Sequence, residues 1–228
     1  MKPCDAIILV GGLGTRLKTV ITDLPKPLAP ILGKPFLNYV LEHLDKFTQI
    51  DRVILATAYQ AHKIREMYAN HDYHFKIDFS EEHQPLGTGG AVRLALEKTI
   101  KPQVIILNGD SFINFDNHHF DHEEVLLLKR VYDRSRFGSI ELDNQNRIVA
   151  LREKGLSGEG LISAGVYLLK REHLIEWPLQ KIISMETDIL PTLIKNGIYG
   201  KICDRPFIDI GTPESYKEAE LFFKALRE

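Results

Sequence analysis

Glycines, one arginine and one lysine near the start of the chain have the spacing of a phosphate-binding loop. Leu9 to Pro27 reads LVGGLGTRLKTVITDLPKP. An apolar run from Ala6 to Val10 stops at Gly11-Gly12, Leu13-Gly14-Thr15-Arg16 follows, and Lys26 stands between two prolines. A buried strand that ends in a flexible turn leaves backbone N–H groups where a phosphate can approach. Arg16 adds a fork of donors and Lys26 a compact charge. Together they suit the several phosphates of a nucleoside triphosphate. The Walker string does not occur, and the dinucleotide fingerprint fails because Leu17 stands where its third glycine belongs. Taken alone, the same glycines also suit a tight turn after a central strand.

Carboxylates come next. Asn108-Gly109-Asp110 follows the apolar run Val104 to Leu107, and Asp209-Ile210-Gly211-Thr212-Pro213 follows Phe207-Ile208. Each aspartate alone reads equally well as a turn residue bonded to its own backbone. Two of them facing a phosphate site would repel it unless a hard cation lay between. Mg²⁺ fits that place, taking one or two carboxylates and completing its shell with phosphate oxygens and water. The stretch Glu81 to Ala91, EEHQPLGTGGA, is flexible backbone against which a planar base can lie. It also reads as a helix entry with positive φ at Gly87 and Gly89 and with Thr88 as the cap. Glu153-Lys154-Gly155 opens a glycine-bearing loop suited to closing over a second substrate, with Lys154 on its phosphate. His118, His119 and His122 lie in a polar loop without cysteine partners or helical spacing, so they read as solvated residues rather than a metal cluster.

The elements that must hold these groups alternate through the first half. Strands are expected at Asp5 to Val10, Arg52 to Thr57, Lys76 to Phe79 and Val104 to Leu107. Helices are expected from Pro35, over Ala58 to Asn70 and over Gly89 to Lys98. That order argues for a parallel sheet covered by helices on both faces. Ligands of such sheets gather beyond the carboxyl ends of the strands, where the glycine loop and the Asp110 turn fall. From Glu124 onward, strands follow one another: Glu124 to Val131, Phe137 to Leu142, Arg147 to Leu151 and Leu161 to Leu169, with a hairpin joint at Asp143 to Asn146. A helix over Asp188 to Lys195, strands at Tyr199 to Cys203 and Phe207 to Ile210, and a helix from Thr212 to Leu226 complete the chain. Thr212 is its expected N-cap and Pro213 its first residue. The expectation is one α/β domain, residues 1–228, built on a mixed, mainly parallel sheet.

Composition narrows the function. With 228 residues, 44% of them hydrophobic, there is material for one substantial core. A formal charge of -2 gives no bulk attraction to nucleic acid or to an anionic membrane. The N-terminal apolar run is too short for a signal-peptide core or a membrane span. Two distant cysteines, Cys4 and Cys203, make no disulfide framework, and a reducing cytoplasm is the expected home.

Leu9 to Leu17 with Leu24 to Pro27, then Pro85 to Gly90, Asn108 to Asp110, Glu153-Lys154, Ile162 to Leu168 and Asp209 to Pro213 occur in the order seen in sugar-1-phosphate nucleotidylyltransferases, which the chain resembles over nearly its whole length. The PKPLAPI…KPFLNYVL stretch and the short chain are most similar to the heptose 1-phosphate guanylyltransferase group. The resemblance implies a Rossmann-like sheet of the nucleotide-diphospho-sugar transferase type with a small β-rich sugar-binding part. Residues 1–123 would mainly serve the nucleotide and residues 124–228 the sugar phosphate. It implies transfer of a nucleotidyl group from a nucleoside triphosphate to a sugar 1-phosphate. GTP and heptose 1-phosphate are the expected pair, giving GDP-heptose for capsule, S-layer or lipopolysaccharide glycans.

Mannose or glucose 1-phosphate with GTP, UTP, CTP or dTTP are the alternatives within the family. A glycosyltransferase is a rival from another activity, but Asp110-Ser111-Phe112 lacks the second aspartate of Asp-x-Asp. A nucleotide-sugar-binding module without turnover is the rival from another class.

Carried over residue by residue, Leu9, Gly11, Gly12, Gly14, Thr15, Arg16, Gln84, Pro85, Gly87, Thr88, Gly90, Asn108 and Asp110 would bind the nucleotide. Gln84 stands where related chains often have Glu. Arg16, Lys26 and Asp110 would be catalytic, and Asp110 with Asp209 would hold Mg²⁺. Gly109, Glu153, Lys154, Ser163, Ala164, Gly165 and Glu186 would face the sugar phosphate. A homodimer is the assembly that the resemblance implies.

Overall fold

Continuous apolar runs demand burial on both faces, and the central strands receive it. The computed structural model describes residues 1–12, 14–17, 20–21 and 23–226, without the Thr15 side chain. Its first half contains β1 (Cys4–Leu9), the short ribbon β2 (Pro30–Ile31) and β3 (Lys34–Pro35), α1 (Phe36–Leu44), β4 (Ile50–Thr57), α2 (Ala61–Tyr68), β5 (Lys76–Glu81), α3 (Gly87–Ala95) and β6 (Gln103–Asn108). The second half contains β7 (Ser111–Ile113), β8 (Val125–Val131), β9 (Ser139–Leu142), β10 (Ile148–Arg152), β11 (Gly160–Lys170), α4 (Arg171–Ile175), α5 (Leu190–Lys195), β12 (Tyr199–Ile202), β13 (Phe207–Asp209) and α6 (Pro213–Ala225).

The main sheet runs β10-β9-β11-β6-β1-β4-β5, with β8 on β11 and β12 on β8. β6, β1, β4 and β5 are parallel, whereas β11 is antiparallel to β6. The expected mixed, mainly parallel sheet is therefore present, and its sense changes at β6. Side chains alternate across it. Ala6 and Ile8 join a core with Phe36, Leu41 and Phe223, while Ile7 joins the opposite core with Val92, Leu190 and Leu193. Ile7 and Ile8 are both fully buried, each contributing about 1.5–3 kcal/mol by area removed from water.

Several expected elements are corrected. α2 starts at Ala61 rather than Ala58, because Gln60 at its N-cap is left-handed, with φ 53°. α3 starts at Gly87, two residues early, and its last turn, Leu96–Lys98, tightens to 3₁₀. Gly87 has positive φ as expected, but Gly89 does not. Thr88 is not a cap: its hydroxyl accepts the N–H of Met185. The helix expected from Asp188 begins as a π-helical turn, Met185–Ile189, capped by Ser184, and becomes α5 at Leu190. β7 and α4 were not anticipated. His119 is no solvated residue: its ring bonds Asp116 and caps a short 3₁₀ turn, while His122 stacks on Tyr199 at 3.7 Å. At the C-terminus the reading holds. Thr212 caps α6 through the Ser215 N–H, and Pro213 is the first helical residue.

Candidate active site

The loop after β1 is shaped by close approaches. Val10 N–H bonds Ala56 O, continuing the ladder for one residue. A Cβ on Gly11 would sit 3.0 Å from the Ala58 nitrogen, close enough that the neighbouring backbone would have to shift, whereas Gly12 has open space around it. Gly14 turns left-handed, φ +57°, and lies against Lys26, 3.1 Å from where its own Cβ would be. Arg16 is exposed on the 3₁₀ turn Thr15–Leu17, which buried Leu17 anchors. The Thr15 side chain, assigned to the nucleotide from the sequence, lies outside the described residues.

Lys26 opens another 3₁₀ turn, fixed by buried Pro27 and Leu28. Its ammonium is 2.5 Å from Asp110 Oδ2, with only 11% of the lysine side chain exposed against 44% of the aspartate. Asp110 reaches it because Gly109 passes over the end of β1, donating its N–H to Leu9 O. A Cβ on Gly109 would stand 2.5 Å from that oxygen. Asn108 comes just before, and its side chain occupies the space that a Cβ on Gly165 would need, at 2.7 Å. Gly165 has φ +74° at an irregularity of β11, and its N–H donates to Ser163 Oγ. The Ala164 side chain points into the core, so only its backbone is available to a ligand.

β7 brings the second aspartate in. It pairs antiparallel with β13, Ser111 opposite Asp209, and Ile210 N–H donates to Asp110 O at 2.9 Å. The backbones of Asp110 and Asp209 thus lie close together at one end of a small ribbon, Asp110 just before β7 and Asp209 closing β13. The Asp209 carboxylate accepts the Gly211 N–H and pairs with Arg136 at 2.9 Å. Arg136 escaped the sequence reading because its partner lies far along the chain, and a lone arginine in a polar turn carries no signal. Carboxylates such as these are the oxygen donors that a hard divalent cation takes. Each already faces a protein cation, Lys26 or Arg136. Among the described residues no three His, Cys, Asp or Glu side chains gather into a metal site. A cation on this pair would therefore complete its shell from substrate and water.

Two cavities flank this point. One, about 420 Å³, lies beyond the ends of β1, β4 and β5. Leu9, Gly11, Gly12, Gln84, Pro85, Gly87 and Thr88 line it, joined by Tyr59 and Glu82, which the sequence had not singled out. Burial raises the pKa of Glu82 against the opposing pull of the Leu86 N–H that it accepts. Gly90 lies behind this wall, its N–H on Ile183 O, and a Cβ there would meet Lys181 O at 2.5 Å. These glycines therefore also let segment 181–183 lie directly on α3.

The other cavity, about 480 Å³, lies over the antiparallel strands. Glu153, Lys154, Ser163 and Glu186 line it, with Phe137, Gly138 and Tyr167. Burial pushes the Tyr167 phenol up to about 12, against the Ser163 hydroxyl, so it stays a neutral hydroxyl. The Thr88–Met185 bond and the start of the π-helical turn lie between the two: Thr88 lines one cavity and Glu186, next to Met185, lines the other.

The nucleotidyl transferase family model matches residues 5–225. The chain belongs to that family. Two curated nucleotidyl transferases are 41% identical to it. The D-glycero-alpha-D-manno-heptose 1-phosphate guanylyltransferase of Aneurinibacillus thermoaerophilus aligns over 225 residues, 95% of this chain and 96% of its own. The enzyme of the same name from Campylobacter jejuni aligns over 215 residues, 93% of this chain and 96% of its own. The crystal structure of HddC from Yersinia pseudotuberculosis complexed with GMP-PN superposes with a TM-score of 0.84 at 36% identity, covering 96% of this chain and 99% of that one. This nucleotidyl transferase thus shares its fold across almost the full length of those relatives. No described helix is long and apolar enough to cross a membrane.

Proposed function

We propose that this nucleotidyl transferase moves the guanylyl group of GTP onto D-glycero-alpha-D-manno-heptose 1-phosphate, forming GDP-heptose and pyrophosphate. The observation that carries this reading is the 41% identity to two heptose 1-phosphate guanylyltransferases over nearly the whole of each chain. The arrangement of the site agrees with it. β6 ends between β1, whose loop opens one cavity, and β11, whose Ser163 lines the other. A donor and an acceptor can therefore meet at Asp110.

In this reading Leu9, Gln84, Pro85, Gly87 and Thr88 receive the base and ribose. Gly11, Gly12, Gly14 and Arg16 receive the phosphates. Glu153, Lys154, Ser163 and Glu186 receive the sugar phosphate. Every residue lining the first cavity precedes position 123 and every residue lining the second follows 124, which supports dividing the chain's duties there. A sugar-phosphate oxygen attacks the α-phosphorus of GTP, the bond to the β-phosphate oxygen breaks, and pyrophosphate carries away the electron pair. The nucleophile is already an anion, so no general base is required. The difficulty is bringing one anion to another, and positioned charge answers it. Lys26 neutralises the reacting phosphate and Arg16 the leaving pyrophosphate. Asp110 and Asp209 would hold Mg²⁺, which supplies further positive charge to the phosphate oxygens. The cytoplasm suits two buried, free thiols, Cys4 and Cys203.

Pyrophosphate release, measured for GTP, UTP, CTP and dTTP against heptose, mannose and glucose 1-phosphates, tests the reading. GTP with heptose 1-phosphate is expected to exceed every other pair. A faster pair reassigns the substrates. Release from none, with nucleotide still bound, replaces the enzyme by a binding module.

A further inference from the structure

We propose that Arg136 serves two anions in turn: it holds Asp209 until a divalent cation takes that carboxylate, then binds the phosphate of the incoming sugar 1-phosphate. The inference rests on the reading above, in which Asp209 is a metal ligand.

Asp209 is fixed and Arg136 is the movable partner. The carboxylate stands at the end of a paired strand, takes the Gly211 N–H, and has 19% of its side chain exposed. Arg136 reaches it from the β8–β9 connection, with 42% of its side chain in solvent. Its guanidinium lies 2.9 and 3.3 Å from the two Asp209 oxygens and lies over the turn at Gly211. A hard cation bound by Asp209 needs those same oxygens and repels the guanidinium, so the two compete for one place.

Once displaced, Arg136 has a second anion within its own neighbourhood. The next two residues, Phe137 and Gly138, wall the sugar-side cavity. Ser135 O accepts the Gly155 N–H at 3.0 Å. Arg136 and Lys154 are the chain neighbours of that bonded pair, so their backbones are held close together, and Lys154 itself lines the cavity. A phosphate monoester is a dianion, and a guanidinium fork plus an ammonium match it in charge and in donor geometry. The charge count agrees. As it stands, Asp110 and Asp209 are balanced by Lys26 and Arg136. Adding a divalent cation and a dianionic phosphate keeps that balance only when both arrive, and Arg136 is the group that passes from one to the other.

The test uses the full chain with Mn²⁺ as the metal probe, titrated without nucleotide, and heptose 1-phosphate as the sugar phosphate. Arg136→Ala is expected to bind Mn²⁺ about two- to fivefold more tightly, since a competing surface ion pair is gone. The same variant should raise the KM for heptose 1-phosphate about tenfold or more, the loss of one charged contact, with the KM for GTP unchanged. Arg136→Lys should recover part of both effects. Unchanged Mn²⁺ affinity in Arg136→Ala, or an unchanged KM for heptose 1-phosphate, overturns the proposal. Asp209→Asn separates the two failures. If it binds Mn²⁺ as the wild type does, the metal reading of Asp209 is wrong and the role of Arg136 falls with it. If it loses Mn²⁺ while Arg136→Ala changes nothing, Arg136 alone is dismissed.

Discussion

The two cavities are built by different means. The one beyond β1, β4 and β5 carries glycines in its wall where the backbone is closely approached, Gly11 by Ala58 and Gly87 by Ile183, with Gly109 over Leu9 just beside it. The one over the antiparallel strands is shaped by side chains from three strands and a helical turn: Ser139, Arg152, Ser163, Tyr167 and Glu186. In the proposed reading, the glycine-bearing wall meets what every donor shares, a triphosphate and a flat base. Side-chain walls fit what differs between substrates, the hydroxyls of a sugar. Substitutions should therefore act differently on the two sides, through strain and geometry on the first and through single contacts on the second.

The largest effect is expected between them. Asp110→Asn should lower kcat several-hundredfold or more, about 3–4 kcal/mol of barrier, while thermal unfolding stays close to wild type. Near-normal turnover would take Asp110 out of the chemistry. Gly109→Ala tests the backbone side. Its Cβ would sit 2.5 Å from Leu9 O, so the chain must shift, at a cost of about 1–3 kcal/mol in denaturant unfolding and with Asp110 displaced from Lys26. Stability and activity both like wild type would show that the crossing tolerates a side chain. Lys154→Ala tests the side-chain side. It should raise the KM for the sugar phosphate about tenfold to a hundredfold, one charged contact, and leave the KM for GTP unchanged. Equal effects on both substrates would erase the contrast between the cavities.

How legible each region was follows the same division. The glycine loop, the Asp110 turn and the strand order could be read because buried parallel strands are continuous apolar runs and each ends in a marked turn. The role of the second glycine cluster could not. Gly89 was expected to need positive φ, yet what excludes a side chain there is Ile183, about ninety residues away, whose Cγ2 would stand 2.7 Å from it. β7 was missed because Ser111–Ile113 is three residues long and is held as a strand only by distant β13. That pairing sets Asp209 beside Asp110, so the sequence could name both aspartates without the element that joins them. Arg136 and Tyr167 are placed by partners or walls that no local pattern announces.

A smaller effect lies away from both cavities. His43 is buried with Phe47, Phe112 and Phe115 edge-on to its ring. Burial, aided by Lys46, lowers its pKa from 6.5 to about 4. The unfolded chain therefore binds a proton that the folded chain refuses between those values. Stability is full above pH 6.5 and falls toward pH 4, by about 3 kcal/mol in all. His43→Phe should flatten that limb of a stability-against-pH curve, and an unchanged slope would place the acid sensitivity elsewhere.

The central claim is that donor and acceptor phosphates meet at Asp110 between two separately built cavities. The most direct measurement is a crystal structure with a non-hydrolysable GTP analogue and heptose 1-phosphate bound together. The expected result puts the base against Gln84 and Gly87, the sugar against Glu153 and Ser163, and both reacting phosphates beside Asp110 and Lys26. A base seated over the antiparallel strands, or reacting phosphates remote from Asp110, would contradict the account.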